Sequence, residues 1–487
     1  MKRKFLKVCV SRRFATNATA KVSTEVRSFE EIPGPVPLPL VGTMLNYLPF
    51  FGQYNFWKLH RTYAKMHQQY GDVVKEVITK KRIIVHVFNP EYMSHVYVNE
   101  GKYPNRLSHT ALAKYRLERP NFYSGPGLFP SNGEEWQRFR DLFQIPLFHP
   151  SIVKHSSKAL EEVVDDLVVA ISNSLDKNEE TDLLPLLYRL GLECIGYITL
   201  NKRLGCLSLK GNAEADALVK AAEATHMAVY LTENVPFNQK KNYKKLEAAQ
   251  DILSEIVGKY FDEALKSADN SSESCIVHRL MRVPGAEKRD VFTMILDMFL
   301  AGIDTTSFAL SFGLYHLARC KRVQDTLREQ LREVMPTLDT PFTGVKKPNY
   351  LKAVVQETLR INPVAIGTGR VIPNDLVIGG YLVPANTMVI LQHQVASIQE
   401  KYFKNSKEFE PERWLSKNAP RSVSAPFGSG KRLCIGRNIA QLEINLAIAK
   451  IIRNFELSYH YEDIDSYSRL INVPDKPVKL RMKRVND

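Results

Sequence analysis

Closely spaced cysteine pairs are missing from this chain of 487 residues. Its six cysteines are scattered along the sequence: Cys9, Cys194, Cys206, Cys275, Cys320 and Cys434. Their spacing argues against a disulfide framework and against a zinc site, so we expect a reducing compartment. Internal repeats, low-complexity tracts and breaks in composition are missing too. The length would allow about two or three domains, but the unbroken composition predicts one large domain.

Acidic residues are scarce at the N-terminus. Residues 1–28 hold eight lysines and arginines against one acid, Glu25, and so carry +7 of the total charge of +15. This composition, with several serines and threonines, is typical of a mitochondrial targeting peptide ahead of a mature domain over 29–487. A disordered basic tail is the alternative. A run of roughly 20 apolar residues, long enough to span a bilayer, is missing from this region, which favours the matrix side of the inner membrane.

Motifs that alternate basic and aromatic residues are also missing, so nucleic-acid binding is not expected in spite of the positive charge. The charge outside residues 1–28 suits an acidic partner or an anionic membrane surface instead. We therefore expect peripheral contact with a membrane.

The periodicity of apolar residues predicts a mainly α chain with a smaller β part. A proline-rich stretch over 32–39 marks the start of the folded part. The N-terminal half is predicted to contain a helix over 54–70 ended by Gly71, a hairpin over 73–87 with its turn at Lys80-Lys81, a helix from Pro90 to about Gly101, irregular chain over 104–133, mostly helix over 157–260 and a polar linker over 267–274. The C-terminal half is predicted to contain a strand over 363–370, a hairpin over 376–392 and a segment at 470–474 that returns to the ligand pocket.

A long helix is predicted from an N-cap at Asp290 to about Cys320. Its first half is nearly all apolar but contains Asp297, so we expect a buried core helix instead of a membrane span. In its middle, Gly302 is a poor helix former, and the hydroxyl of Thr305 can bond back to a carbonyl. Together they can open the helix and admit water or O₂. A plain glycine kink with surface threonines is the alternative.

The stretch from Phe427 to Gly436 places Cys434 at the end of a glycine-rich loop and at the start of a helix. Glycines let the main chain approach a flat ligand closely. Backbone N–H groups, the positive end of the helix and the nearby cation of Arg432 are expected to lower the pKa of Cys434. Such a thiolate is a good ligand for haem iron. The alternative is a structural cysteine in a tight turn.

The spacing of Phe427, the glycines, Arg432 and Cys434 resembles the haem-binding loop of the cytochromes P450, the haem-thiolate monooxygenases. The resemblance runs from about Pro33 to the C-terminus. It implies the P450 fold, with haem b between the long central helix and the cysteine loop and with Cys434 as the axial ligand of the iron. The pair Asp304-Thr305 matches the acid and alcohol of the family. The resemblance implies that Thr305 bonds to the oxygen at the iron and that Asp304 supplies protons through water.

The resemblance assigns further roles. Besides Arg432 and Phe427, the residues implied to contact the haem are Trp136, Arg140 and Arg370. The residues implied to hold the haem-side core as a buried ionic network are Glu357, Arg360 and Arg413. The residues implied to line the substrate pocket are Val364, Ala365, Ile366 and Thr368, and their small or apolar side chains suit a sterol-sized ligand.

Mitochondrial members of the family take electrons from an acidic ferredoxin and its NADPH reductase. Lys352 matches one basic docking position of that class, and Arg437 offers another cation on the same face. The next docking position departs from the pattern, because it is Gln356. Ordinary solvated surface charge is the alternative for these residues.

Four short segments resemble the insect ecdysteroid 22-hydroxylases: Asn46–Pro49, Leu112–Arg116, Pro130–Gly133 and Asn362–Gly367. This resemblance implies hydroxylation of carbon 22 of an ecdysone precursor. Three rivals remain: a mitochondrial detoxifying monooxygenase of broad specificity, a haem-binding sensor without oxygenase activity, and a peroxide-driven or rearranging enzyme that needs no reductase. The pair Asp304-Thr305 argues against the sensor, which has no need of proton delivery.

Overall fold

The computed structural model describes residues 25–485 except 51, 209–210, 236–237, 268–274 and 343–346. Nearly all of the predicted linker over 267–274 and residues 1–24 of the predicted targeting peptide lie outside the described residues. The α-helices are α1 (Leu59–Tyr70), α2 (Pro90–Val98), α3 (Thr110–Leu117), α4 (Gly133–Phe148), α5 (Pro150–Ser174), α6 (Leu184–Leu200), α7 (Ala213–Asn234), α8 (Gln239–Lys266), α9 (Ile276–Met281), α10 (Lys288–Arg319), α11 (Lys321–Val334), α12 (Asn349–Ile361), α13 (His393–Ser397) and α14 (Arg437–Asn454). The strands are β1 (Val73–Thr79), β2 (Arg82–Val87), β3 (Glu180–Asp182), β4 (Thr368–Val371), β5 (Leu376–Ile378), β6 (Tyr381–Val383), β7 (Met388–Leu391), β8 (Phe455–Ser458), β9 (Ser466–Ser468), β10 (Asn472–Pro474) and β11 (Lys479–Arg484). The prediction of a mainly α fold with a smaller β part is confirmed.

The core is built around α10, which is buried on nearly every face. Within the described residues it is the one helix apolar and long enough to cross a membrane, but most of that apolar stretch is buried inside the protein. It packs against α6, α7, α12 and α14. A helix that is hydrophobic all round belongs in a core, as the sequence predicts here. The predicted N-cap is wrong: Glu287 caps the helix, and Asp290 lies in its first turn and accepts a bond from the Glu287 N–H at 3.0 Å.

A four-stranded sheet in the order β1-β2-β7-β4 covers one side of the helices. The predicted hairpin over 73–87 is present as β1 and β2. The predicted hairpin over 376–392 is wrong, because β5 turns into β6 at Gly379-Gly380 while β7 pairs with β2 and β4. Both glycines have positive φ, 59° and 85°, which provides the tight turn.

Three other predicted boundaries are wrong. The first helix begins at Leu59 instead of 54, the segment 104–133 contains α3, and the predicted strand over 363–370 is a strand only from Thr368. In the last case the backbone before Thr368 bonds elsewhere: the Asn472 N–H donates to Val364 O at 2.8 Å, and the Gln394 N–H donates to Ile366 O at 3.0 Å. The segment predicted over 470–474 therefore does return to residues 363–364.

The N-terminal part of the fold begins before residue 29. The Leu382 N–H donates to Arg27 O at 2.9 Å, and the Arg27 guanidinium lies 3.7 Å from the centre of the Tyr381 ring. The described fold therefore includes Arg27. The boundary of the targeting peptide at residue 28 stays a prediction.

Candidate functional site

The loop from Phe427 to Gly436 leads into α14, as predicted. The Cys434 N–H donates to Phe427 O at 3.0 Å and closes the loop. Gly428 and Gly430 have φ of 73° and 71°, which favours glycine at both positions. A Cβ on Gly430 would also lie 2.6 Å from Glu100 Oε1. Gly436 has an ordinary φ of −87°, so the special backbone expected for it is not required.

The expected low pKa of Cys434 is wrong for the protein by itself. Burial raises the pKa of the Cys434 thiol. The Gly436 and Arg437 N–H groups and the charges of Arg140 and Arg437 act in the opposite direction but do not outweigh burial. A metal ion deprotonates a coordinating thiol outright. The loop therefore provides groups that favour a thiolate, and a bound metal ion would supply the rest.

The motif predicted to activate oxygen lies in the middle of α10, which runs through it without a break. Thr305 Oγ1 donates to Ala301 O at 2.7 Å, and Thr306 Oγ1 donates to Gly302 O at 2.8 Å. A Cβ on Gly302 would lie 3.0 Å from Ile195 Cδ1 on α6, so this glycine also allows the two helices to approach. The Thr305 side chain stays half-buried, and its oxygen retains acceptor capacity.

Asp304, the neighbour of Thr305, is buried in the same stretch of α10. Its Oδ2 lies 2.5 Å from Nδ1 of His226 on α7. Its Oδ1 is buried and has no hydrogen-bond partner among the described residues. A buried carboxyl oxygen without a partner is costly unless water or a ligand satisfies it.

Four arginines lie buried or half-buried beside the cysteine loop: Arg106, Arg140, Arg370 and Arg432. Burial, together with the charges of Arg106 and Arg370, lowers the pKa of Arg432 to about 8. Burial also lowers the pKa of Arg106 and of Arg140 to about 10. Of these four arginines, only Arg370 has an ion-pair partner among the described residues: its Nε lies 2.6 Å from Glu100 Oε2. The cluster therefore carries positive charge that the described side chains do not neutralise.

The arginine cluster fits the two propionates of haem. Arg432 Nη1 and Arg106 Nε are buried donors without a partner among the described residues. The other Arg432 donors bond to Pro104 O at 2.7 Å, Ser131 O at 2.5 Å and Asn132 Oδ1 at 3.3 Å, which fixes the guanidinium. The buried Trp136 ring lies 4.6 Å from that guanidinium. Bidentate guanidinium groups suit carboxylates, and a dianionic ligand at this point would offset most of the positive charge of the cluster.

The predicted ionic network is assembled around Glu357, which is fully buried with Arg360. Arg360 Nε and Nη2 each donate to the Glu357 carboxylate at 2.8 Å, and Arg413 Nε donates to it at 2.9 Å. Trp414 Nε1 adds a bond of 2.8 Å, and the Glu410 N–H adds one of 3.0 Å. This network joins α12 to the segment that precedes the cysteine loop.

The residues predicted to line the pocket do not share one environment. Val364 and Ile366 are half-buried, whereas Ala365 is exposed. The Thr368 hydroxyl bonds to Tyr97 Oη at 2.7 Å, and its methyl carbon would lie 4.0 Å from a Cβ on Gly428. Thr368 therefore lies beside the cysteine loop.

The predicted docking cations line a groove of about 740 Å³ that is partly formed by the cysteine loop. Lys352 and Arg437 lie in this groove together with Lys347 and Arg421. Gln356, which stands where the docking pattern has a basic residue, lines it too. None of the described lining residues is acidic. The groove is thus a positively charged concave surface beside the loop that carries Cys434.

Sequence reasoning missed several residues of the site. Glu100 binds Arg370 and also accepts from the Lys431 N–H at 2.6 Å, which ties the segment after α2 to the cysteine loop. Arg106 completes the arginine cluster, and His226 contacts Asp304. These residues carry no motif, and only their meeting in space marks them.

The comparisons with known proteins agree with this geometry. The family model described as Cytochrome P450 matches residues 32–482. The chain is 32 % identical to Cytochrome P450 302a1, mitochondrial, of Drosophila melanogaster over 96 % of this chain and 98 % of that protein. It is 27 % identical to Ecdysone 20-monooxygenase of the same organism over 94 % and 89 %. Its fold matches the crystal structure of a cytochrome P450, CYP102L1, with a TM-score of 0.80 at 21 % identity over 95 % and 100 % of the two chains.

Proposed function

Because the chain belongs to the cytochrome P450 family, we propose that this monooxygenase hydroxylates a steroid, at carbon 22 of an ecdysteroid precursor. Its cofactor is haem with a cysteine ligand, as in the rest of the family. It belongs to the mitochondrial class, to which its similar relatives are assigned by name. The substrate, the carbon attacked and the residue roles below are our proposals.

The bound haem supplies the one-electron and O₂ chemistry, and the protein holds and surrounds it. We assign the axial ligand to Cys434 and the contacts with the propionates to Arg432, Arg370, Arg140 and Trp136. Phe427 packs where the loop meets the core. Asp304 passes protons, and Thr305 orients the water that carries them, because the hydroxyl is anchored on Ala301 O.

The observation that carries the steroid proposal is the position of the segments shared with ecdysteroid 22-hydroxylases. Arg116, in α3, is fully buried and donates to Asp297 Oδ1 on α10 at 2.7 Å. Residues 363–364 accept bonds from Asn472. Both segments thus adjoin elements that surround the proposed haem site. The name of one relative, Ecdysone 20-monooxygenase, adds support for a steroid substrate.

The test is a reconstituted reaction with a mitochondrial ferredoxin, its NADPH reductase and two ecdysteroid precursors, one with and one without a hydroxyl at carbon 22. We expect a product one oxygen heavier from the precursor that lacks the hydroxyl, and no conversion of the other at that carbon. Mass spectrometry with fragmentation identifies the position. Turnover of lipophilic toxins without turnover of either steroid would reject the proposal in favour of a detoxifying enzyme. Product formation without ferredoxin would favour the peroxide-driven alternative.

We also propose that the groove beside Cys434 docks an acidic ferredoxin. It presents Lys352, Arg437, Lys347 and Arg421, and complementary charge steers association and makes it sensitive to salt.

Replacing Lys352, which is exposed, by glutamate should raise the KM for ferredoxin about tenfold, which corresponds to about 1.4 kcal/mol. The maximal rate at saturating ferredoxin should stay the same, and the effect should shrink as salt rises. Steady-state kinetics with varied ferredoxin measures it. Lys177→Glu is the matched control, since Lys177 is also exposed but does not line the groove. Equal KM values for the two variants would rule out this docking site.

Peripheral contact with the inner membrane on its matrix side is the final part of the proposal. Large apolar side chains are exposed over a short N-terminal stretch: Val36, Leu38, Leu40, Leu45, Leu48 and Phe50. The stretch lies against β1, since the Thr43 N–H donates to Val77 O at 2.8 Å. Arg82, beside Lys80-Lys81, donates to Asn234 at the end of α7, and exposed lysines follow at the start of α8. An apolar patch flanked by cations suits an anionic bilayer. Equal affinity of the protein for anionic and neutral vesicles would contradict the proposed contact with an anionic membrane surface.

A further inference from the structure

Helices α7 and α10 are joined by a buried pair that the P450 motifs do not include. Nδ1 of His226 lies 2.5 Å from Oδ2 of Asp304. The His226 side chain is 7 % exposed, and that of Asp304 is 4 % exposed. The second oxygen of the carboxyl, Oδ1, is buried and bonds to no described group. The two oxygens of Asp304 therefore face different partners: one faces the imidazole, and the other is left for water.

The surroundings of the pair contain one carboxylic acid and one permanent cation. The titratable and charged groups that act on the pair are Tyr188 from α6, Glu223 from α7, His109 from the segment before α3, and Arg469 from the loop between β9 and β10. Burial raises the pKa of Glu223, although its bond to Tyr188 acts in the opposite direction, and the Asp304 charge raises it further. Burial also lowers the pKa of His109 well below its usual value, so that imidazole is neutral. Among the described groups of this cluster, His226 is the side chain that bonds directly to the Asp304 carboxyl, at 2.5 Å.

We propose that His226 is a positioning residue of the hydroxylation, which returns a proton to Asp304 after Asp304 has released one. The proposal rests on the proposed role of Asp304 as proton donor. A proton on Oδ1 leaves through water toward the site beside Thr305. As Nε2 of His226, an atom to which no described residue bonds, takes a proton from water, the proton on Nδ1 moves to Oδ2. The N–H bond at Nδ1 thus breaks as the N–H bond at Nε2 forms, and exchange of these protons with water restores the starting tautomers before the next turnover. One proton enters the pair for each proton that leaves it, and no electron is exchanged.

The competing role for His226 is purely structural, as a contact that holds α7 against α10. The variant His226→Gln separates this role from proton transfer. The glutamine amide can still donate to Asp304, so it preserves a tie, but it does not release a proton. Positioned proton transfer contributes about 10²–10⁴-fold in rate. Because His226 acts only through Asp304, we expect an effect below the upper end of this range: product formation should fall about tenfold, with more peroxide released per NADPH consumed. The carbon monoxide spectrum and the substrate affinity should be unchanged. Tyr230→Phe, which removes a hydroxyl of α7 bonded to Phe56 O, is the matched control and should retain normal coupling.

Two further measurements complete the test. In the background of Asp304→Asn, His226→Gln should have no further effect, because both residues act on one path. In mixtures of H₂O and D₂O, the ratio of product to peroxide should depend on the D₂O fraction with less curvature in His226→Gln than in the unaltered protein, because hydroxylation itself takes up two protons and the relay adds the movement of another. His226→Asn is the second variant if His226→Gln fails to fold. Normal coupling in the His226 variant, additive effects in the double variant or equal curvature of the isotope dependence in the variant and the unaltered protein would each overturn the proposal. Normal product formation in Asp304→Asn would instead overturn the proposed role of Asp304.

Discussion

Asp304→Asn is expected to lower product formation about a hundredfold and to divert most of the consumed NADPH into peroxide. The amide has nearly the same shape and can still accept the bond from His226 Nδ1, so α7 and α10 should keep their contact. It does not act as an acid, so the water at the buried Oδ1 side is no longer supplied with protons. Haem content and substrate affinity should not change. Parallel measurement of product, peroxide and NADPH consumption gives the coupling.

The matched control is Ser311→Ala. Ser311 is also fully buried on α10, and its hydroxyl donates to Ser307 O at 2.7 Å. Loss of this local bond should leave coupling intact, because the hydroxyl bonds within its own helix. Equal coupling in Asp304→Asn and Ser311→Ala would remove Asp304 from proton delivery. Equal loss in both variants would indicate general damage to α10.

Glu357→Gln is expected to destabilise the fold by about 3–5 kcal/mol, because removal of one partner of a buried ionic network leaves uncompensated charge. The amide would face two guanidinium groups that now share the carboxylate, those of Arg360 and Arg413. It would offer them one acceptor oxygen in place of two. Since this network precedes the cysteine loop, haem retention should fall with stability. Urea unfolding followed by circular dichroism gives the free energy of unfolding.

Lys321→Gln is the matched control for Glu357→Gln. Lys321 also forms two ion pairs, with Glu456 at 2.8 Å and with Asp325 at 3.1 Å, but its side chain is 67 % exposed. Exposed pairs contribute about 0–1 kcal/mol. A loss for Glu357→Gln that is no larger than the loss for Lys321→Gln would show that the buried network does not hold the fold.

The parts of the site that lie close together in sequence could be predicted from it. Cys434, Arg432 and the glycines fall within ten residues, and Asp304 and Thr305 are neighbours on one helix. The sequence also predicted that α10 is a buried core helix and not a membrane span, because its first half is nearly all apolar but contains Asp297. Local spacing can specify such groups, since a loop or a helix turn fixes their relative positions.

The parts that depend on distant segments could not be predicted. Arg370 and Glu100 are 270 residues apart, and His226 and Asp304 are 78 apart. No local pattern marks an acid or an imidazole that becomes a partner only when two elements pack. The pKa of Cys434 was predicted in the wrong direction for a similar reason: the helix end is visible in the sequence, whereas the burial that outweighs it arises from the whole fold.

The central claim is that Cys434 ligates haem iron as a thiolate, and the absorbance of the reduced, carbon monoxide-bound protein tests it most directly. For the unaltered chain we predict the long-wavelength band typical of thiolate-ligated haem, and for Cys434→Ala we predict its loss. Failure of the unaltered protein to bind haem, or an unchanged band in Cys434→Ala, would contradict the account.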